Sequence, residues 1–349
     1  MSLLEQRYRR VLRLLPATYR AEREDEMVSA FLDGAHATAD EDNPRPHWRE
    51  IASVAALAVR IRLGANTTRP RHHAWGQAVR LAVLGGLGFY AATGVWTATR
   101  PPLDGTLTGL PATAAAGVVM AVAFALLATG RVRAAKTAAA VGLVPYAVEV
   151  ALAADRLADM LSRPGKPSPA RLPLDAVPLL VMAVPFVLVA AFAAGYHRDV
   201  RPPRLPAAVA VAPVAAGLAV AVAERAAIWL IVPTGALGEG WHWIAMWVSE
   251  AGLACLALAG AAAAHTVARL RTGRHSAAVP LALALLSAPA ALIAAIRIAP
   301  GAAGEIADVM NLTAAGQALL LALCCLAMLT VGLRSLPPAP PPAQLRPAD

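Results

Sequence analysis

Eight separate stretches of this chain, near residues 77–98, 109–129, 135–154, 175–196, 205–232, 242–267, 276–298 and 312–333, are almost continuously apolar. A helix needs about 20 apolar residues to cross the hydrocarbon core of a bilayer, and each stretch is long enough. Hydrophobic residues make up 58% of the chain and charged residues 15%. Soluble domains hold roughly 45–50% and about 25%, which excludes an ordinary soluble globular fold. Aromatics are only 5%, so the apolar bulk is Ala, Leu and Val, residues that let helices approach closely in a membrane. No segment alternates apolar and polar residues as a membrane barrel requires. The expected fold is all-α, with a polytopic helical membrane domain of about eight spans over residues 77–333.

The connectors set the orientation. Arg131, Arg133 and Lys136 follow the second stretch, Arg198, Arg201 and Arg204 the fourth, and Arg269, Arg271 and Arg274 the sixth. The alternate connectors are weaker in basic residues, and the one from Asp155 to Asp175 nearly balances its basic residues with aspartates. The positive-inside rule puts the basic set in the cytoplasm. An even number of spans then places both termini there, in a multi-pass protein of the plasma membrane. The net charge of +9, almost all arginine, reads as a topology signal rather than as a nucleic-acid surface.

Residues 1–65 are compositionally distinct, with ten of the 22 acidic residues lying before Ile51. Three amphipathic helices are expected. The first runs from Ser2 through Leu3, Leu4, Tyr8, Val11, Leu12 and Leu15, a stripe at helical spacing stopped by Pro16. The second spans Thr18 to Asp33 with Gly34 as its cap. A polar loop, "ADEDNPRP", leads to the third, His47 to Leu63, with Ile51, Val54, Ala58 and Ile61 on its apolar side. Three such helices share one small core, marginal by itself at ~60 residues. Arg9, Arg13 and Arg20 with Glu5, Glu22, Glu24 and Glu26 offer i,i+4 ion pairs of about 0.3–0.5 kcal/mol each. A basic linker, 66–76, joins this part to the first span. Arg60, Arg62, Arg69, Arg71 and Arg80 flank that span and attract an acidic leaflet at ~1 kcal/mol each. The end, 334–349, is proline-rich and reads as a cytoplasmic tail.

The opening residues, "LEQRYRRVLRLLPATYRAEREDEM", resemble the start of HAAS-type domains, alpha-helical signalling modules associated with helix-turn-helix regulators in bacterial membrane proteins. Tyr8, the Leu12–Leu14–Leu15–Pro16 helix end, Tyr19–Arg20, the run Glu22 to Met27, Phe31–Leu32 and the later "VRIRLG" carry the likeness. It covers about a fifth of the chain. It implies a regulatory cytoplasmic module that communicates with a PadR-like transcription regulator, and no catalytic residues. Tyr8, Arg13, Tyr19, Arg20, Glu22 and Glu26 are its candidate interaction residues, for a partner helix or for anionic lipid.

Ionisable residues inside spans are functional candidates by default, here Glu149, Glu224, Arg225, Glu250 and Arg297. Two readings follow: a pair of Glu250 with Arg225 or Arg297 that fixes helices, or a polar cluster for a small cation in a transporter or channel-like component. Cys255, Cys324 and Cys325 read as packing residues, and His242 and His72–His73 lack companion ligands. No phosphate-cradling glycine loop, HExxH or GxSxG stands in the chain. Neither an enzyme nor a resident metal or cofactor is expected. The expected partners are the bilayer and a cytoplasmic protein, with no direct nucleic-acid binding.

Overall fold

The computed structural model describes residues 3–35, 46–64, 70–99, 112–162, 172–197, 200, 204–230, 240–273, 276–298 and 304–337. Every regular element among them is an α-helix. Six of these helices are long and apolar enough to cross a membrane, as a multi-pass protein requires. The chain divides into two compact units, residues 1–77 with 336–349, and residues 78–335. The loop from Ala39, the connectors at Arg198, Arg201 and Arg274, and the tail beyond Pro337 lie outside the described residues.

The first unit contains α1 (Leu3–Leu12), α2 (Ala17–Ala35) and α3 (Trp48–Arg62). The expected stripes meet: Tyr8, Leu12, Leu15, Val28, Val54, Ala58 and Ile61 are buried together, with Tyr19, Phe31 and Leu32 packed against them. The Tyr8 and Phe31 rings stack with centroids 3.9 Å apart. Glu50 starts α3 by accepting the His47 amide at 2.8 Å, which satisfies a backbone donor just ahead of the helix. Arg62 donates to the Leu14 carbonyl at 2.7 Å and ties the end of α3 to the α1–α2 turn. One expectation is corrected. Gly34 lies within α2 rather than beyond it, because a glycine in an exposed last turn lowers helix stability without ending it. Helix α4 begins at Pro70, inside the residues read as the linker, where the fixed φ of proline suits a first turn.

The second unit holds most of α4 (Pro70–Ala98), then α5 (Ala112–Ala128), α6 (Val132–Ser162), α7 (Leu172–Gly195) and α8 (Ala207–Leu230). They are followed by α9 (Gly240–Val248), α10 (Glu250–Thr272), α11 (Ala278–Ile296) and α12 (Glu305–Arg334). Helices α4 to α7 share a core that includes Val83, Leu87, Met120, Phe124, Leu127 and Phe192. Lys136 at the head of α6 donates to the Tyr196 and Ala193 carbonyls at 2.6 and 3.1 Å. It thereby satisfies carbonyls that the end of α7 leaves open. Helices α10, α11 and α12 pack around Cys255, Ala294 and Leu321, and again around Ala262, Ala284 and Met328. The helices run through Pro145, Pro213 and Pro289, as membrane helices tolerate when neighbours meet the freed backbone groups.

The sixth apolar stretch is where the sequence reading fails. It is two helices, α9 and α10, parted at Ser249, whose ψ of 161° is extended. Ser249 Oγ accepts the Gly252 amide at 3.2 Å, an N-cap in mid-stretch, and donates to the Met246 carbonyl at 2.7 Å. The Gln317 amide also donates to that carbonyl, at 3.2 Å. A Cβ at position 252 would collide with the Met246 and Trp247 carbonyls, so the turn requires glycine there. The carbonyl exposed by the break is thus satisfied twice, which an apolar surrounding demands.

Candidate functional site

The interaction candidates of the first unit divide by burial. Tyr8 is only 6% exposed and belongs to the core. Burial pushes its phenol above the ordinary value, and the nearby Glu50 charge adds to the shift, so it stays neutral. Tyr19 packs against the same core. Arg9 gathers Glu5, Glu24 and Asp25 at 3.2, 3.5 and 3.3 Å and so bridges α1 to α2. Arg20 lies 3.8 Å from Glu24, while its Nε is buried without a hydrogen-bond partner among the described residues. Glu26 meets Arg23 at 3.6 Å. What remains outward and charged is Arg13, Glu22 and Glu26, all exposed.

The intramembrane candidates separate into two places and one outlier. Glu224 and Arg225 sit in the last turns of α8, which continues through them without interruption. Glu224 accepts the indole N–H of the buried Trp96 at 2.6 Å, and Arg225 donates to the Thr99 carbonyl at 2.7 Å. Both contacts reach the end of α4, so this pair fastens α8 to α4. Adjacent helical residues point about 100° apart, which is why they serve different acceptors and donors rather than each other. Trp96 is the partner that sequence reasoning missed. Its signal was faint: one tryptophan near a span end, where an interfacial aromatic is ordinary. Glu149 is half-buried on α6 and joins neither place.

Glu250 and Arg297 belong together. Helix α10 runs from Glu250 and α11 returns from Ala278, joined through Gly273, whose φ of 62° makes the left-handed cap. That hairpin brings the start of α10 and the end of α11 to one level. Glu250 is therefore the first residue of a helix, not a residue partway along one, and Arg297 follows the last. Each charge matches the helix dipole at its position.

Both residues line a half-open cavity of about 580 Å³ walled by α4, α7, α10 and α11. Its walls are otherwise nearly all carbon. Gly86 and Phe89 face it from α4, Ala257 and Ala261 from α10, and Leu286 and Ile293 from α11. Ser249, Glu250, Tyr90 and Arg297 supply its polar groups. The Tyr90 ring meets the Tyr146 ring edge to face, with centroids 6.2 Å apart. The Nη1 of Arg297 is buried without a hydrogen-bond partner among the described residues. The volume falls in the range of about 300–1,000 Å³ usual for small-molecule sites.

Among the described residues no group of His, Cys, Asp or Glu is placed to hold a metal ion. The three cysteines are free thiols within the packing of α10 to α12. No family model, curated protein or solved structure matches this chain.

Proposed function

We propose that this is a regulatory protein of the plasma membrane, with eight spans and both ends in the cytoplasm. Its residues 1–65 act as a HAAS-like signalling module toward a PadR-like transcription regulator, without binding nucleic acid or catalysing a reaction itself. The observation that carries this reading is the shared core of α1, α2 and α3 beneath a charged surface, in a chain whose remaining long helices are apolar. Counting eight spans adds the shorter apolar helices to the six long ones. Helix α5 has 17 residues and α7 has 24, both within the range of about 17–25 that can cross.

Two measurements test it. Reporter fusions at Gly165 and Gly238 are expected to behave as exported, and those at Arg133 and Arg271 as cytoplasmic. A fusion at Arg133 reporting export would break the topology. Full-length protein is expected to co-purify with a PadR-like regulator from the source cell, and a charge reversal at exposed Arg13 to reduce the yield. Undiminished recovery with residues 1–65 deleted would show that the module is not the docking element.

A second reading, a transporter or channel-like component, draws on the cavity with its Glu250 and Arg297. Solute flux through reconstituted protein that Glu250→Gln abolishes would favour it over a purely regulatory role.

A further inference from the structure

Helix α3 is apolar on two sides. Val54, Ala58 and Ile61 face the core. Nearly opposite them, at 3.6 residues per turn, run Trp48, Ala52, Ala56 and Val59. All four are exposed, Trp48 at 79% and Val59 at 43%. By the same spacing Arg49 and Arg60 border this second stripe on one side and Arg62 on the other, all three exposed. No acid shares it: Glu50, the one acid of α3, stands a turn before Val54 on the buried side and accepts the His47 amide. Helix α2 is the contrast, with Glu22, Asp25, Glu26 and Asp33 turned outward. An exposed tryptophan in an apolar stripe edged by arginines is the composition of a helix that lies in a membrane interface.

The end of α3 is held at the start of α4. A Cβ at Gly76 would fall on the Leu63 carbonyl, and one at Gly64 would crowd the backbone of His72 and His73, so main chain meets main chain there. Residues up to Gln77 belong to the same compact unit as α3. Helix α4 is long and apolar enough to cross a membrane, and past Arg80 it carries no charge. The end of α3 is thus about one turn from the apolar part of α4. We infer that the outer face of α3 lies on the anionic leaflet at that end of α4, with the Trp48 indole at headgroup depth and Arg49 and Arg60 against lipid phosphates. An indole suits that depth because its ring is apolar and its N–H is not, and a guanidinium is a fork suited to phosphate oxygens. Anionic headgroups attract this face and repel the acidic face of α2, so charge selects the side turned to lipid. A second copy of the chain, bringing the acids of its α2 to the same arginines, is the competing occupant. Lipid is favoured because the tie between α3 and α4 keeps the leaflet within reach of every molecule. The inference does not involve a transcription regulator, and purified protein with lipid suffices to test it.

The test places the photoreactive residue p-benzoylphenylalanine at Ala52 of the full-length protein, in vesicles of phosphatidylcholine and phosphatidylglycerol. The same group at Ser29, exposed on α2, is the water reference. At Leu323, exposed on the apolar α12, it is the lipid reference. Illumination is expected to give lipid adducts at positions 52 and 323 and only background at 29. In vesicles of phosphatidylcholine alone the yield at 52 should fall while that at 323 holds. Arg49→Gln combined with Arg60→Gln should lower the yield at 52 by up to about thirtyfold, roughly fivefold for each basic residue near an anionic surface. Both positions are exposed, so these substitutions leave the core of the unit intact. An adduct at 52 to a second protein chain in place of lipid overturns the inference in favour of self-association. A lipid yield at 52 no greater than at 29 overturns it outright. A yield at 52 indifferent to both phosphatidylglycerol and the arginines overturns the anionic leaflet as the occupant.

Discussion

Leu12→Ala is expected to open the α1–α3 unit. Leu12 is fully buried where Tyr8, Val54 and Ala58 also lose their exposure. Removing a buried leucine costs about 2–5 kcal/mol, because the transfer energy of the lost carbons adds to the cavity they leave. A unit this small holds little stability in reserve. A loss of about 3 kcal/mol raises the population of opened molecules roughly a hundredfold, and proteolysis of the opened form follows that population. Limited proteolysis of the full-length protein in membranes should therefore show cleavage between residues 3 and 62 accelerated by about that factor. Leu14→Ala is the comparison. Leu14 is 42% exposed, and truncations at such positions stay within about 0.5 kcal/mol. Equal cleavage rates in the two variants would remove the case for one core beneath three helices.

The sequence made this core readable because its signals were local and repeated. Leu12, Val54 and Ile61 announced themselves by helical spacing, and Pro16 marked where the first helix had to stop. The same held for most of the apolar stretches, each of which contains a helix. What periodicity does not convey is a break inside an apolar run. Between Trp247 and Gly252 only Ser249 and Glu250 interrupt the apolar run, too briefly to divide it by length, yet Ser249 turns the chain. The signal was a serine directly followed by an acid and then, two residues on, a glycine, a helix start that length and hydropathy alone overrule. The consequence was functional. A glutamate assigned to the interior of a span is in fact the first residue of a new helix, at the same level as Arg297 and beside a cavity. Helix partnerships were also out of reach. Glu224 with Trp96 and Arg225 with Thr99 are separated by 128 and 126 positions, and no spacing rule relates residues on different helices.

The crossing of α4 and α5 yields the other large effect. A Cβ at Gly117 would fall onto the Cα of Gly94, and one at Gly94 onto the backbone of Gly117. The obstacle is main chain on both sides, so no rotamer change relieves it. Gly117→Val must push the helices apart, and the separation reaches Val83, Leu87, Met120 and Phe124, which pack along the same two helices. Inserting atoms into a packed contact costs about 1–3 kcal/mol, and in a domain of this size each kilocalorie lowers the melting temperature by roughly 2–4 °C. The detergent-solubilised variant is expected to melt roughly 5–10 °C below the wild type, or to fail to accumulate. Gly260→Val on α10 separates this effect from the general response to a β-branched residue in a helix. A Cβ at position 260 meets nothing within 4 Å, so this variant should melt within about 2 °C of the wild type. Small residues allow close helix contact in a membrane, where dispersion and backbone proximity replace the hydrophobic drive. A Gly117→Val protein no less stable than Gly260→Val would mean that α4 and α5 do not cross at these glycines.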